Sequence, residues 1–508
     1  MVTGTVLAVV AALVIIVAAG GTWLVAGGFK VSRSHQPVTA HPPYHPQGSL
    51  SRITALSGWR ESTLRVAGLS STELRRSQFL SHSCPSQIEC WIAGGWIPKS
   101  QVGKPPDYEP LLLKTTNAGA TWIAEQIPRH VYRVPPGSIG GGIIEDISCP
   151  DALHCWMVGH TRDFEPPFNP RREPPPIEQP FIFAMANGGI TWKVQAIPKS
   201  VWTEKNVWQG MRSRRFPWYG FTWSGLSCPS ATACWAVLHF GGGPYGPPSA
   251  MRTFVLRTDD AGMHWHVVHG IPRAGGDFRA IQLQLPAEWK AMSFLQVPSA
   301  MPAGVLCATP GVCWLRSGYT LTAKCGCRKH VYFLWHTVNG GKSWSVSGFG
   351  DFSNPPPDPE LVGRLFNPEL VSCPGSTVCL ASASVSPIGC HFSCLNSVAV
   401  TAVSTNAGRT WTFEQLTQFP KQLRFTTPEA LQCVSPAICA EIVVRYNPRF
   451  SSDASVKLLF STTNGGRTWT KESVPAISSA VILGCLSMHD CWLLGLKHGR
   501  YVQYHASG

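Results

Sequence analysis

The hydrophobic and polar positions divide the chain into two unequal parts. No charged residue occurs within residues 2–29, and this apolar run is long enough to cross the roughly 30 Å hydrocarbon core of a bilayer as a helix. Beyond it, apolar residues come in short runs, such as 111–113 and 181–183, each followed by a polar turn that contains glycine. Short apolar runs bounded by turn residues are typical of β-strands. The pattern therefore predicts one transmembrane helix followed by an all-β region.

A cleaved signal peptide is the alternative for residues 1–29, but its apolar stretch should span only about 7–15 residues behind a basic leader. This run is longer and has no basic leader, which favours an uncleaved anchor. The first positive charges, Lys30 and Arg33, follow the run and would place the rest of the chain in the cytoplasm by the positive-inside rule. The cysteine pattern argues instead for export. Residues 30–51 are rich in Pro and His and are predicted to form a linker.

A pair of cysteines recurs along the remaining residues, 52–508. Seven times the chain reads Cys, five residues, Cys, and in five of these cases a Trp follows the second Cys. The pairs are Cys84/Cys90, Cys149/Cys155, Cys228/Cys234, Cys307/Cys313, Cys373/Cys379, Cys433/Cys439 and Cys485/Cys491. Self-similarity of this kind predicts an array of repeated structural units.

An eight-residue motif, called the octet below, follows each of the first six cysteine pairs. Its third residue is Asn or Asp, its fifth is Gly and its eighth is Trp. The third residues are Asn117, Asn187, Asp260, Asn339, Asn406 and Asn464. An Asn or Asp side chain can accept hydrogen bonds from the amides of its own turn, and Gly takes up a positive φ without steric cost. The octet therefore predicts a hairpin turn whose Trp begins the next strand and packs against the sheet.

The octet, for example TTNAGATW at 115–122 and TTNGGRTW at 462–469, resembles the Asp-box or BNR repeat. That family includes sialidases, sortilin-type receptors and photosystem II assembly-factor propellers, in which each box joins the third and fourth strands of a propeller blade. The resemblance implies that residues 52–508 form an all-β propeller of four-stranded antiparallel blades. It implies no particular activity, because the box is a structural turn in enzymes and binding proteins alike.

Seven cysteine pairs predict seven blades, and six of these also carry an octet. The seventh pair is followed by one more strand-like segment, and the chain ends where an octet would come. Residues 57–62 (SGWRES) are similar to residues 468–473 (TWTKES) at the end of the sixth octet. We therefore predict that the first strand of the repeat region completes the last blade and closes the ring, which shields strand edges.

The seven pairs account for 14 of the 18 cysteines, and their spacing suits a disulfide across the hairpin between the first and second strands of a blade. Zinc is the alternative, but each pair stands alone, without a second pair or His pair at ligand spacing. Disulfides predict an oxidising compartment. The chain is therefore expected in the cell membrane as a single-pass protein with its propeller on the extracytoplasmic side, or secreted if the first segment is cleaved.

Four cysteines remain, namely Cys325, Cys327, Cys390 and Cys394. Both pairs fall between the second and third strands of adjacent blades, the fourth and the fifth. They predict either one or two further disulfides or a metal site assisted by His330 or His391. The disulfide interpretation is favoured, so neither a metal nor a cofactor is expected.

Composition and charge narrow the functional classes. With 10% aromatic and only 14% charged residues, the chain does not have the composition of a disordered protein. Its net charge of +14 favours an anionic partner. Nucleic acid is not expected, because the predicted compartment lies outside the cytoplasm. A monomer is expected.

The predicted binding segment is an insertion at 202–223 (WTEKNVWQGMRSRRFPWYGFTW) that joins two blades opposite the octet turns. Aromatic faces stack on sugar rings or cations, and Arg pairs with carboxylate or phosphate. The candidate residues are Trp202, Trp208, Arg212, Arg214, Arg215, Trp218, Tyr219 and Trp223. The alternative is that these rings only pack the segment onto the ring.

Two functions remain open at this point. The first is a binding or assembly propeller for an anionic glycan, a wall polymer or a protein. The second is a sialidase-like exo-glycoside hydrolase with its site at the mouth of the propeller. The Phe/Tyr-Arg-Ile-Pro motif of sialidases is missing and seven blades depart from their six, although acidic residues in the long connections leave a catalytic carboxylate pair open. No catalytic residue is assigned.

Overall fold

The computed structural model describes the chain in separate ranges. These are residues 59–86, 88–97, 108–127, 139–164, 178–203, 219–242, 252–269, 301–322, 328–347, 364–374, 377–387, 398–414, 426–445, 456–472, 479–487, 490–497 and 500–507. The predicted membrane segment and linker lie outside these ranges and stay predictions. Within the ranges, no helix combines the length and the apolar character that a membrane crossing requires.

In the described part of the chain the strands form seven sheets, called blades 1 to 7 below. The first elements are β1 (Arg60–Thr63), β2 (Val66–Ala67) and the helix α1 (Ser71–Arg75). Blade 1 follows with β3 (Ser77–Ser83), β4 (Cys90–Trp96), β5 (Glu109–Thr115) and β6 (Trp122–Ala124). Blade 2 contains β7 (Ile139–Ser148), β8 (Cys155–Phe164), β9 (Glu178–Met185) and β10 (Lys193–Gln195).

The helix α2 (Lys199–Thr203) precedes blade 3, which contains β11 (Tyr219–Ser227), β12 (Cys234–Gly242), β13 (Arg252–Thr258) and β14 (His266–Val267). Blade 4 contains β15 (Met301–Thr309), β16 (Val312–Thr322), β17 (Arg328–Thr337) and β18 (Ser345–Ser347). Blade 5 contains β19 (Arg364–Ser372), β20 (Cys379–Pro387), β21 (Val398–Ser404) and β22 (Thr412–Glu414). Blade 6 contains β23 (Thr426–Cys433), β24 (Cys439–Arg445), β25 (Val456–Thr462) and β26 (Thr470–Lys471).

Blade 7 combines the two ends of the described chain. Its strands β27 (Ser479–Ser487), β28 (Asp490–Lys497) and β29 (Arg500–Ser507) are completed by β1, which pairs antiparallel with β29. Arg60 lies opposite His505 and Thr63 opposite Val502. This arrangement confirms both the seven four-stranded antiparallel blades and the predicted ring closure. One detail was not predicted: β2 adds to blade 1 as a fifth strand, parallel to β6.

All seven predicted disulfides are formed, one in each blade. Each bond lies across the hairpin of the first and second strands, with a Cα–Cα distance of 4.0–4.2 Å. The disulfides indicate an oxidising environment, outside the cytoplasm or secreted. The bonds join Cys84 to Cys90, Cys149 to Cys155, Cys228 to Cys234, Cys307 to Cys313, Cys373 to Cys379, Cys433 to Cys439 and Cys485 to Cys491.

The disulfides of blades 4 and 7 depart from the common pattern in one detail. Five blades begin their second strand at the second Cys, but β16 begins at Val312 and β28 at Asp490, so Cys313 and Cys491 are each the second residue of their strand. Cys491 still lies directly opposite Cys485, and one further pair, Ser487 with Asp490, extends the hairpin beyond the disulfide. Cys491 is only 2% exposed and faces Ala506 of β29 on its other side. Its role is therefore structural, as predicted.

The octets form the predicted turns between the third and fourth strands. In each octet the Oδ1 atom of the third residue accepts the amide of the seventh residue at 2.9–3.0 Å. The fifth residue is a Gly with a φ of 74–98°. The fourth residue also has a positive φ, and in three octets it is an alanine: Ala118, Ala261 and Ala407. The left-handed region costs an L-residue about 1–2 kcal/mol, so other contacts must hold these alanines there.

A backbone hydrogen bond between the octet and the disulfide loop of the same blade holds the fourth octet residue in this conformation. The amide of the fourth octet residue donates to the carbonyl four residues after the first Cys of the pair. The six bonds are Ala118 to Ile88, Gly188 to Leu153, Ala261 to Thr232, Gly340 to Gly311, Ala407 to Thr377 and Gly465 to Ala437, at 2.7–3.1 Å. Octets and disulfide loops therefore share one face of the ring, as the strand alternation predicts.

Tryptophans hold neighbouring blades together. The Trp after the second Cys of one blade meets the octet of the next blade, as Trp91 does with Trp192, whose ring centroid is 6.0 Å away at 90°. Trp235 and Trp344 repeat this contact at 6.0 Å. Trp492 of blade 7 meets Trp122 of blade 1 at 5.5 Å, so the same contact spans the closure. Aromatic pairs with this edge-to-face geometry stabilise the fold by more than the burial of their apolar area alone.

Candidate functional site

The aromatic and basic insertion at 202–223 is described only in part. Trp202 lies on α2 and packs edge-to-face on Phe221, with centroids 5.3 Å apart. Trp223 is only 6% exposed, and its Nε1 donates to the carbonyl of Gly159 at 2.8 Å. These two rings therefore belong to the packing between blades 2 and 3, which is the alternative weighed for them above.

The other residues of the insertion carry less information. Tyr219 begins β11 opposite Gly242. Trp208, Arg212, Arg214, Arg215 and Trp218 lie outside the described residues, so their ligand-binding role stays a prediction. The four extra cysteines, Cys325, Cys327, Cys390 and Cys394, lie outside them as well. In the described ranges there is no group of three or more His, Cys, Asp or Glu side chains that could hold a metal ion.

The first strands of the blades share a feature that the sequence analysis missed. Each has a register shift at or just before the fourth residue ahead of its first Cys, for example between Phe79 and Ser81 and between Ile144 and Asp146. Such bulges re-aim side chains and disturb regular pairing. In blade 2 the bulge brings Glu145 and Asp146 towards blade 3.

These two acids bond to the first strand of blade 3. Glu145 Oε2 accepts the amide of Trp223 at 2.9 Å and lies 3.3 Å from His160 Nδ1. Asp146 Oδ2 accepts the amide of Leu226 at 2.7 Å, and its Oδ1 accepts from Ser81 Oγ of blade 1 at 2.5 Å. Desolvation of this enclosed carboxyl group raises the pKa of Asp146 to about 6. Both acids thus satisfy strand amides that no neighbouring strand pairs.

A second missed feature links the blades around the ring. The residue before the first Cys accepts the amide of the first Cys in the next blade at 2.9–3.1 Å. The donor and acceptor pairs are Cys149 to Ser83, Cys228 to Ser148, Cys307 to Ser227, Cys433 to Ser372 and Cys485 to Gln432. The recurring Ser-Cys dipeptide is the sequence signal that could have revealed this ring of bonds.

Other described acids are also engaged within the protein. Glu441 is fully buried and receives hydrogen bonds from Ser382 and Thr401. Glu472 is 5% exposed and accepts from Ser461. Ion pairs engage further acids: Glu61 with Lys497 at 2.6 Å, Glu89 with Lys114 at 3.2 Å, Glu429 with Lys457 at 2.5 Å and Asp259 with Arg257 at 2.5 Å.

Basic side chains make up much of the charge that faces solvent. Ten of them are exposed and have no acidic partner among the described residues: Arg60, Arg65, Arg75, Lys193, Lys199, Lys342, Arg409, Arg467, Lys471 and Arg500. Because many described acids are engaged within the protein, these ten exposed basic residues favour a net positive surface on the described part of the ring.

Three of these arginines meet at one cleft of about 400 Å³, where β1 leads into α1 and faces the start of β29. Arg65, Arg75 and Arg500 line it, and the described residues that line it include no acid. Thr63 and Ser71 add hydroxyl groups. The cleft lies by β1, the outermost strand of blade 7, and so away from the inner strands of the ring.

The floor of this cleft is fixed by the hydrophobic core. Leu64, Val66 and Leu74 are at most 9% exposed and belong to one cluster with Tyr501. The Tyr501 hydroxyl donates to the carbonyl of Ser77 at 2.9 Å, and burial raises the pKa of Tyr501 to about 12, so this donor persists at neutral pH.

The helix α1 that carries Arg75 is held by a reciprocal cap. The Ser70 amide donates to Glu73 Oε2 at 2.7 Å, and the Glu73 amide donates to Ser70 Oγ at 3.2 Å. The hydrogen bond from the Ser70 side chain is the main cause that lowers the pKa of Glu73. The Arg75 guanidinium itself donates to the carbonyl of Ser71 at 3.2 Å. A capped turn thus presents Arg75 at the cleft.

Comparison with known proteins does not identify the chain. No protein-family model matches it, and no curated protein does. Solved structures with a similar backbone fold include YCF48 from Cyanidioschyzon merolae, with a TM-score of 0.41, 10% identity, and coverage of 88% of this chain and 99% of that chain. The GH74 xyloglucanase from Xanthomonas campestris has a TM-score of 0.42, 12% identity, and coverage of 88% and 55%. At this similarity the neighbours carry no argument about what this chain binds or does.

Proposed function

We propose that this protein is an extracytoplasmic β-propeller that binds an anionic partner, with residues 2–29 anchoring it in the membrane. The observation that supports it most is the charge of the described ring: many of its acids serve internal contacts, while ten of its arginines and lysines are exposed without an acidic partner among the described residues. Such a surface attracts polyanions and weakens its hold as salt rises. An anionic glycan or wall polymer is the partner that fits the oxidising compartment.

The scaffold supports a binding role. Each blade is closed by a disulfide and six are locked by an octet, so the long connections on the opposite face start from a rigid frame. We include the insertion at 202–223 in the binding surface through Arg212, Arg214 and Arg215. The octets themselves, as Asp-box-like turns, are given a structural role only.

Binding of the purified full chain to an array of anionic and neutral polysaccharides tests this function. We expect retention on the anionic polymers, little on neutral ones of equal length, and at least a fivefold weaker affinity when ionic strength rises from 50 to 200 mM, because exposed charges are screened. Equal binding to anionic and neutral polymers would contradict the proposal.

The insertion is tested separately by the variant Arg212→Ala/Arg214→Ala/Arg215→Ala. Its matched control is Lys342→Ala/Arg409→Ala/Arg467→Ala, which removes the same charge from the sixth positions of three octets on the other face. We expect the insertion variant to bind the anionic polymers several-fold more weakly than this control. If both variants bind alike, the insertion is not part of the binding surface.

A further inference from the structure

The cleft near α1 is lined by three arginines, none of which takes part in an ion pair of the described residues. Some basic side chains elsewhere in the described residues form ion pairs, as Lys497 does with Glu61 at 2.6 Å. Arg65, Arg75 and Arg500 line one cleft instead, and none of them has an acidic partner in the described part of the chain. Three positive charges that line one cleft attract an anion, and a bound anion would also relieve the repulsion among them.

The shape and lining of the cleft limit what that anion is. A volume of about 400 Å³ accommodates a molecule of sugar size rather than a bare ion. Guanidinium groups bind carboxylate, sulfate and phosphate through paired N–H donors. Thr63 and Ser71 can bond ring hydroxyls, and the aliphatic floor of Leu64 and Val66 offers an apolar surface for a sugar face.

We propose that this cleft binds a saccharide unit that carries a carboxylate or sulfate group. The proposal deepens the function proposed above, because it locates one recognition point for an anionic glycan at the outer edge of blade 7. It differs from a site at the propeller mouth, since the cleft is built from the outermost strand β1, the segment up to α1 and the third strand β29.

Binding here has a consequence for the fold. Thr63, Arg65 and Arg75 come from the beginning of the described ring, whereas Arg500 and Tyr501 come from its last strand. A ligand that contacts both sides holds β1 against β29 and binds only the closed ring. Mass action then stabilises the closed ring as the ligand concentration rises.

The experiment uses the purified full chain with glucuronate, glucose 6-sulfate, inorganic phosphate and neutral glucose as separate probes. We expect glucuronate and glucose 6-sulfate to raise the unfolding temperature and to slow hydrogen exchange in residues 500–507. Phosphate should act more weakly, because it makes no contact with the apolar floor, and glucose should have no effect. Equal responses to glucose and glucuronate would overturn the assignment.

The variant Arg65→Ala/Arg75→Ala/Arg500→Ala is compared with the charge-matched control Lys342→Ala/Arg409→Ala/Arg467→Ala. The cleft variant should bind glucuronate at least tenfold more weakly, while the control, which lowers the general positive charge equally but leaves the cleft intact, should lose no more than about twofold. Arg500→Ala alone should lower the affinity for glucuronate by less than the triple variant does, and it replaces the triple variant in the test if that variant folds poorly. Equal affinity in the cleft variant and the control would overturn the inference.

These outcomes separate the cleft from the general function. If the cleft variant loses no affinity for glucuronate but the unmodified chain still prefers anionic polymers, only the cleft inference fails. If neither polymer nor monosaccharide anions are preferred over neutral sugars, both proposals fail.

Discussion

Single side chains complete the hydrogen bonding between blades. Asp146 shows this best, because its two carboxyl oxygens receive Ser81 of blade 1 and the Leu226 amide of blade 3, and so one residue of blade 2 ties three blades. Its pKa of about 6 follows first from desolvation, against which the hydrogen bonds from Ser81 and two amides act. A carboxyl group held in this way makes the stability of the ring depend on pH.

We predict the sign of that dependence. The pKa of Asp146 in the folded protein, about 6, lies above the ordinary 3.8. Its contribution to the free energy of unfolding is therefore fully present below about pH 4 and is lost as the pH rises through 6. In Asp146→Asn this dependence is absent. The stability advantage of the unmodified chain over the variant should therefore be larger at pH 4 than at pH 7, by up to about 3 kcal/mol.

Denaturant unfolding of both proteins at pH 4, 5, 6 and 7 measures this difference. Parallel stability curves across the range would show that Asp146 titrates at the same pH in the folded and unfolded chain.

The blade is the element in which the local signals cooperate. The disulfide loop and the octet turn of one blade are joined by a backbone bond, such as Ala407 to Thr377 at 2.7 Å. This bond uses the amide of a residue whose φ is 59°. The strained conformation and the loop that accepts its amide therefore support each other, and the disulfide limits how far that loop can move.

Removing the disulfide of one blade should lower the free energy of unfolding by a modest amount. For Cys433→Ala/Cys439→Ala we expect a loss of about 2 kcal/mol, because a bond that closes so short a loop restricts the unfolded chain only slightly. Urea unfolding measures this loss, and the double variant Cys149→Ala/Cys155→Ala in blade 2 serves as a second instance. An unchanged midpoint in the oxidised variants would mean that the disulfides do not stabilise the blades.

The closed ring is a property of the whole molecule. Trp59 stands in blade 7 where the other six blades have the octet Trp, and it packs on a cluster that includes Leu483, Cys491, Val502 and Tyr504. The contact between Trp492 and Trp122 continues the same packing from blade 7 to blade 1. Closure thus reuses the contacts that join ordinary blades.

Trp59→Ala should open the closure first. We expect a loss of about 3 kcal/mol, since a large ring leaves a partly buried position. Hydrogen exchange should rise in residues 500–507, which pair with β1, more than in blade 6. Ile190→Ala, a change at a side chain that is 82% exposed, is the control and should have little effect. A uniform rise in hydrogen exchange across all blades would contradict a local effect at the pairing of β29 with β1.

Much of the architecture could be predicted from residue order. The cysteine spacing predicted seven blades and seven disulfides, the octet predicted the turn between third and fourth strands, and the likeness of residues 57–62 to 468–473 predicted the closure. These features are readable because each depends on residues within one hairpin, or on a motif that repeats.

For the insertion at 202–223, the sequence left open whether its aromatic rings bind a ligand or pack the segment. Trp202 and Trp223 carry the residue types of a ligand platform, but the structure packs both between blades 2 and 3. A ring buried between sheets and a ring offered to a ligand look the same in sequence, because the difference is the presence of a neighbour from another blade.

The sequence by itself therefore determined the repeating unit, its disulfide, its turn and the number of blades, since local hydrogen bonds and short loops decide these. Only the tertiary structure decided that Asp146 ties three blades, that Ser83 accepts the Cys149 amide, and that Arg65, Arg75 and Arg500 line one cleft. The first two contacts join residues about 65 to 80 positions apart and form because neighbouring blades pack together, whereas the cleft joins residues more than 400 positions apart and forms because the ring closes.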